Sequence, residues 1–267
     1  MVTFQNKIIY MPGLPPNARW EKISDYASRC GGLQWREERV RAVDGTDLAL
    51  CVTDVELGRN PASERPEVAF YILYFQGRPN EKGLRLDAAA ALGWISQLHR
   101  ESYGSEPPAA AQSGQVMLWG QSIGSGVATN LAAEQLMPVN LRLNSLILET
   151  PFTSIRAMLE VLYPQNWLPY KYLWPFLRNQ LDSWTNLGII SERYKEPEAQ
   201  PAILLLEAAK DELVPAKLSQ ELYNRCLKVN IPVERVSVAG AFHNDAMFRA
   251  EGRKAVANFI KHQIAAV

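Results

Sequence analysis

Apolar residues in this chain come in unbroken runs, and between the runs they recur at every third or fourth position. "VAFYILYF" (68–75) is continuously apolar between polar flanks. That is the pattern of a strand buried on both faces of a parallel sheet. Leu84, Ala88, Ala91, Leu92, Ile95 and Leu98 then fall at helical spacing. Val116–Trp119 reads as a second buried strand ending at Gly120, and "VATNLAAEQL" as a second helix. "LNSLILE" (143–149), "PAILLLEA" (201–208) and "PVERVSVAG" (232–240) are further strands, and "GRKAVANFIKHQI" closes the chain as an amphipathic helix. Ahead of them, "ERVRAVDGTDLALCVTD" reads as a hairpin about Asp44-Gly45, the favoured type I′ pair. Strand and helix in alternation imply an α/β fold, a mostly parallel central sheet with helices on both faces.

One segment breaks the alternation. "VLYPQNWLPYKYLWPFL" (161–177) sets Tyr163, Trp167, Tyr170, Tyr172, Trp174 and Phe176 among prolines. It reads either as an interrupted helical excursion whose aromatics pack on the body, or as a small cap over a substrate pocket, and both can hold. The expected organisation is a single domain over 1–267 with a cap inserted at 151–195. Phe152, Trp167, Tyr170 and Trp174 are the expected pocket and cap residues.

Composition narrows the function classes. Lys and Arg number 28 against 28 Asp and Glu, so nothing favours nucleic acid or an anionic membrane as partner. The three cysteines, Cys30, Cys51 and Cys226, lack metal spacing, and their odd count suits a reducing compartment. No metal and no cofactor is expected. No apolar run of about 18 residues occurs, so no membrane-spanning helix is expected, and "MVTFQNKIIY" makes a poor signal peptide.

The chemistry is suggested by "LWGQSIGSGVA" (118–128), where Gly120-Gln121-Ser122-Ile123-Gly124 fits the G-x-S-x-G elbow. A serine forced onto a tight strand-to-helix turn brings the residues two before and two after it too close for a Cβ. Glycines at 120 and 124 relieve that crowding. A serine hydroxyl needs a base, most often histidine. The chain offers His99, His243 and His262. His99 ends a helix and His262 lies beside the apolar stripe of the last helix. His243, in "VAGAFHNDAM", follows the last strand at its carboxyl end, the same sheet edge as Ser122. The imidazole needs a carboxylate to fix its tautomer. Asp211, in "AAKDELVP", also follows a strand. Glu207 and Glu212 compete, but Glu207 reads as still within the strand. Asn244 or Asp245 reads as a helix cap.

Several stretches resemble a known family, the eukaryotic α/β-hydrolase-domain serine hydrolases of the bud-emergence and protein-depalmitoylase type. "WGQSIG" stands where that family has "YGQSIG", and "GAFHND" where it has "GxxHND". "AAKDELVP", "ETPFTSI" and "PNEKGLRLDAAAALGWI" match further motifs, with Ala208 in a glycine place. The resemblance implies an α/β-hydrolase fold, ester or thioester hydrolysis without a cofactor, and a triad of Ser122, Asp211 and His243. It also exposes a departure. The family's third strand ends in an "HGN"-type loop, and a helix and a fourth strand precede "EKGL". Here "YFQGRPNEKGL" joins the third strand almost directly to that point. One inner strand and one helix, roughly 30–35 residues, are expected to be missing. Gln76-Gly77 as a diverged "HG" is the alternative.

The departure bears on the oxyanion formed in acyl transfer, which needs two preorganised N–H donors. Ile123 would supply one. The other would come from the loop after the third strand, from Gly77 or Arg78, or be lost. The hairpin would lose its neighbour, or pair with strand 68–75 instead. The functional expectation is a serine hydrolase for small or lipid-like esters or thioesters with apolar acyl groups. The alternatives are a catalytically impaired scaffold and a serine peptidase on short peptides. An intracellular site, cytoplasmic or at a membrane, is expected; the resemblance allows membrane association, with no anchor in this chain.

Overall fold

The computed structural model describes residues 33–55, 68–76, 83–104, 113–134, 137–165, 167, 172 and 180–267. Two strands, β1 (Trp35–Arg41) and β2 (Asp47–Thr53), form an antiparallel hairpin. Five more form one parallel sheet in chain order: β3 (Phe70–Phe75), β4 (Gly114–Gln121), β5 (Leu141–Glu149), β6 (Ala202–Ala208) and β7 (Val233–Val238). The connecting helices are α1 (Leu84–Tyr103), α2 (Ile123–Glu134), α3 (Ile155–Leu162), α4 (Ser183–Arg193), α5 (Ala216–Lys228) and α6 (Ala250–Ala265).

Alternation along the strands divides the core in two. Leu118, Leu146, Leu148, Ile203 and Leu205 face α1, α2, α4 and α5 in the larger cluster. Met117, Ile147, Leu204, Leu206 and Val238 face Val256 and Phe259 of α6 in the smaller one. Burying each such side chain stabilises the fold by roughly 1.5–3 kcal/mol. Helices thus lie on both faces, as the pattern predicts.

Three expectations change. Strand β3 is not buried on both faces: Ile72 is 44% and Tyr74 46% exposed. Among the described residues no strand pairs with its outer edge, and α6 is centred over β5 to β7. A continuous apolar run cannot show which neighbours it will have, and here one side is open. Secondly, the hairpin does not pair with β3; it stands as a separate two-stranded sheet. Thirdly, its turn is not type I′. The N–H of Gly45 donates to the carbonyl of Ala42, and Ala42 N–H to that of Thr46. Only Gly45 has positive φ, at 84°. This is a type I turn closed by a left-handed glycine bulge, the three-residue loop solution.

The excursion after β5 is pinched at its base. The Ile155 N–H donates to the Leu181 carbonyl at 3.0 Å and Trp184 N–H to the Thr153 carbonyl at 3.2 Å. Ser154 and Asp182 cap α3 and α4, accepting from Ala157 N–H and Thr185 N–H. Helix α4 belongs to the body layer. Leu187 and Ile190 are fully buried in the larger core, and Asn186 donates to Asn130 of α2.

Candidate functional site

Strand β4 ends at Gln121, and the next residue turns the chain into α2. Ser122 there has φ +54°. A non-glycine residue in this left-handed region costs of order 1–3 kcal/mol and persists only where its surroundings enforce it. Those surroundings are visible. The Ser122 N–H donates to the Glu149 carbonyl of β5 at 2.8 Å. The Ser125 hydroxyl donates to the carbonyls of Gly120 (2.7 Å) and Glu149 (3.1 Å), tying both strand ends to the helix. A Cβ at Gly120 would collide with the carbonyl of Gly124, and one at Gly124 with the carbonyl of Phe75. The turn is therefore closed by two glycines packed on backbone. Gln121 accepts from the Tyr74 hydroxyl at 3.4 Å.

His243 lies beyond β7 and is 4% exposed. Its Nε2 is 3.0 Å from Ser122 Oγ, and its Nδ1 lies 3.0 and 2.9 Å from the two oxygens of Asp211. With Asp211 ionised, Nδ1–H donates to it and Nε2 is free to accept from the serine hydroxyl. The loops carrying the two residues are fastened together. Lys210 N–H donates to the Ala241 carbonyl, and Ala209 N–H to that of Val238. His243 N–H donates to Glu212 Oε2 at 3.1 Å. Burial pushes the Asp211 carboxyl upward. The His243 ring and the N–H groups of Val214 and Leu213 outweigh that and hold it below the ordinary carboxylate range.

The other acidic candidates have different work. Glu207 lies within β6 and bonds Ser219 and Arg235. Asp245 accepts from Phe242 N–H and pairs with Arg249. His99 is buried beside the Tyr71 hydroxyl at 3.1 Å, and His262 is exposed.

Ile123 begins α2, so its N–H is among those with no intrahelical acceptor and lies at the positive end of the helix dipole. Gly77 and Arg78 lie outside the described residues, as do Tyr170 and Trp174. Phe152 is 2% exposed within the larger core, whereas Trp167 is 81% exposed. No group of His, Cys, Asp and Glu suited to a metal ion occurs among the described residues. Nor, among these, is any helix long and apolar enough to cross a membrane.

The sequence reading passed over Glu149, the last residue of β5. It is 1% exposed, and burial pushes its carboxyl up to about 7. The Trp119 indole N–H, the Met247 N–H and a positive charge on His243 all pull the other way. A carboxylate closing the apolar run "LILE", at the sheet edge that bears Ser122, was the available signal.

No family model matches the chain. Over 216 residues it is 30% identical to an uncharacterized protein of Mycobacterium tuberculosis, a match that takes in 80% of this chain and 60% of that protein. Over 149 residues it is 34% identical to the lysophosphatidylserine lipase ABHD12 of Bos taurus, covering 55% of this chain and 34% of the lipase. The chain thus spans about 60% of the mycobacterial relative and a third of the lipase. Among solved structures, the Pyrococcus furiosus esterase Pf2001 superposes with a TM-score of 0.54 at 16% identity, over 91% of this chain and 93% of that one. That last likeness is one of fold. Fold and sequence together align the chain with the α/β-hydrolase superfamily; the narrower bud-emergence and depalmitoylase grouping rests on its motifs alone.

Proposed function

We propose that this chain, an α/β-hydrolase by fold, is a serine hydrolase that cleaves carboxylic esters or thioesters with apolar acyl groups. The observation that carries this reading is the Ser122–His243–Asp211 contact chain, with Ser122 Oγ 3.0 Å from Nε2 and both Asp211 oxygens within 3.0 Å of Nδ1. Ser122 Oγ attacks the acyl carbon while its proton passes to His243 Nε2. Asp211 holds the ring and stabilises the imidazolium. The tetrahedral oxyanion accepts from the Ile123 N–H. Collapse breaks the bond to the alcohol or thiol, which leaves with the proton from Nε2. Water, deprotonated by the same nitrogen, then releases the acid from the acyl-enzyme. The cap is proposed for the excursion between α3 and α4, within the 151–195 insertion, and its aromatics would receive the acyl chain. Gly77 or Arg78 is proposed as the second oxyanion donor. The lipase and esterase among the similar proteins act on ester-type substrates by name, which supports this class.

A second reading, an impaired scaffold, draws support from β3, which among the described residues ends the sheet without the neighbour that the family resemblance implies. A fluorophosphonate probe separates the two. Stoichiometric labelling that is lost in Ser122→Ala is the expected result. A folded chain that does not label would leave the scaffold reading. A series of p-nitrophenyl esters then tests the acyl preference, and rates that stay flat or fall with chain length would count against an apolar acyl site.

A further inference from the structure

Glu149 is a buried carboxylate beside the proposed triad for which the proposed mechanism has no task. It ends β5 directly opposite Gln121 in the register with β4, one residue before Ser122. Its backbone carbonyl takes the Ser122 N–H, so its place relative to the elbow is fixed. Its side chain is 1% exposed, yet among the described residues Oε1 has no hydrogen-bond partner. The nearby Trp119 Nε1 is also buried without a partner; it favours the ionised carboxyl without reaching hydrogen-bond geometry. A core position filled for packing alone would be better served by an apolar side chain, because a buried carboxyl with one oxygen unpaired is costly.

The titratable groups facing Glu149, among the described residues, come from two other elements. One is Tyr74 of β3, whose hydroxyl is pushed up to about 12 by burial and by the Glu149 charge, and which therefore stays neutral. The other is His243, from the loop after β7. Asp211 already occupies Nδ1, and Ser122 faces Nε2. Glu149 makes no hydrogen bond to the ring and acts on it through the field alone. In a site from which water is excluded, that field is weakly screened.

We propose that Glu149 is a positioning residue of the hydrolase site: a second carboxylate that shares a proton with the His243 imidazole and stabilises the imidazolium formed during acyl transfer. This inference rests on the serine hydrolase reading. When the ring takes the serine proton, the ionised form of Glu149 is favoured. When the ring is neutral, Glu149 holds a proton more readily. Without that carboxylate the imidazolium loses its support, and the acid limb of the reaction responds.

The test is the second-order rate of fluorophosphonate labelling against pH, in wild type, Glu149→Gln and Trp119→Phe, with Ser122→Ala as control. Glu149→Gln keeps the shape and loses the charge. Its limb should move to lower pH, by on the order of half to one unit. Its plateau rate should fall several-fold, because the imidazolium loses its second counter-charge. Trp119→Phe removes a donor that favours ionised Glu149, so its limb should move the same way by less. A Glu149→Gln limb identical to wild type in position and shape overturns the inference, as does a limb that moves to higher pH. Should Glu149→Gln not fold, a Trp119→Phe limb unmoved from wild type overturns it. Wild type that does not label at all removes the hydrolase reading itself, an outcome distinct from any of these.

Discussion

The carboxyl ends of β3 and β4 lie side by side, and they are built to different standards. At the end of β4, Ser122 is held in a strained conformation by the Glu149 carbonyl, by Ser125 and by glycines packed on backbone. The loops that bring Asp211 and His243 to it are fastened to each other by main-chain bonds. At the end of β3, the Phe75 carbonyl supports Gly124 from below, but the strand has no outer partner among the described residues and two of its side chains are open to solvent. Ser122 and His243, the proposed nucleophile and base, follow strands that have neighbours on both sides or helices above them. The proposed second oxyanion donor follows the strand that, among the described residues, has one unpaired edge and one exposed face. Precision at a site comes from the packing behind it, and here that packing thins out within one strand spacing.

The contrast can be tested by substitution. Asp211→Asn should lower the labelling rate by about 10⁴-fold by leaving the imidazole in the wrong tautomer, with the circular dichroism spectrum unchanged. A rate near wild type would remove Asp211 from the proposed triad. Gly124→Ala joins the two strand ends in one experiment, since its Cβ meets the Phe75 carbonyl. It should cost more than about 3 kcal/mol or prevent folding, as backbone strain and overpacking combine. A soluble variant with unchanged denaturant midpoint would mean that the two ends are not in contact. Leu206→Ala, under α6, should cost about 2–5 kcal/mol in urea denaturation.

Glu149 supplies a stability test with a sign. Its folded carboxyl titrates at about 7, above the ordinary value of 4.5. Between those values the folded chain holds a proton that the unfolded chain has released, so stability falls as pH rises through that window. Glu149→Gln should therefore be the more stable protein at pH 8, by on the order of 1–3 kcal/mol, and lose that advantage by pH 4. Equal melting temperatures at both pH values would refute the assigned burial cost. The smallest effect belongs to the open edge: Ile72→Thr should change stability by no more than about 0.5 kcal/mol. A loss comparable to Leu206→Ala would show that something covers β3.

The sequence pointed to the proposed triad because each candidate occupies a place that local rules identify. Ser122 sits between glycines on a strand-to-helix turn, and Asp211 and His243 each follow a buried strand at the edge where parallel strands must end together. The helices were legible from their apolar spacing; Ala88, Leu92 and Ile95 are buried as that spacing predicts. What escaped was set by partners distant in the chain. The exposure of Ile72 and Tyr74 depends on what lies beside β3, and an apolar run carries no record of that. The hairpin turn depended on which of two left-handed patterns Asp44-Gly45 adopts, and the dipeptide permits both. Glu149 looked like the polar end of a strand, and only the tertiary fold puts it beside an imidazole.

Strand β3 has a consequence for the life of the chain outside its active site. Its six residues, FYILYF, contain no charge, no proline and no glycine. Native edge strands ordinarily carry such residues as a guard against strand addition by another molecule. Short, uncharged segments of high β-propensity are also the compositional signature of ordered aggregates. During synthesis or refolding, β3 is made before β4, the strand that covers its inner edge, so the segment spends time with both edges available. A single lysine in place of the exposed Ile72 should therefore raise the concentration at which the chain stays monodisperse.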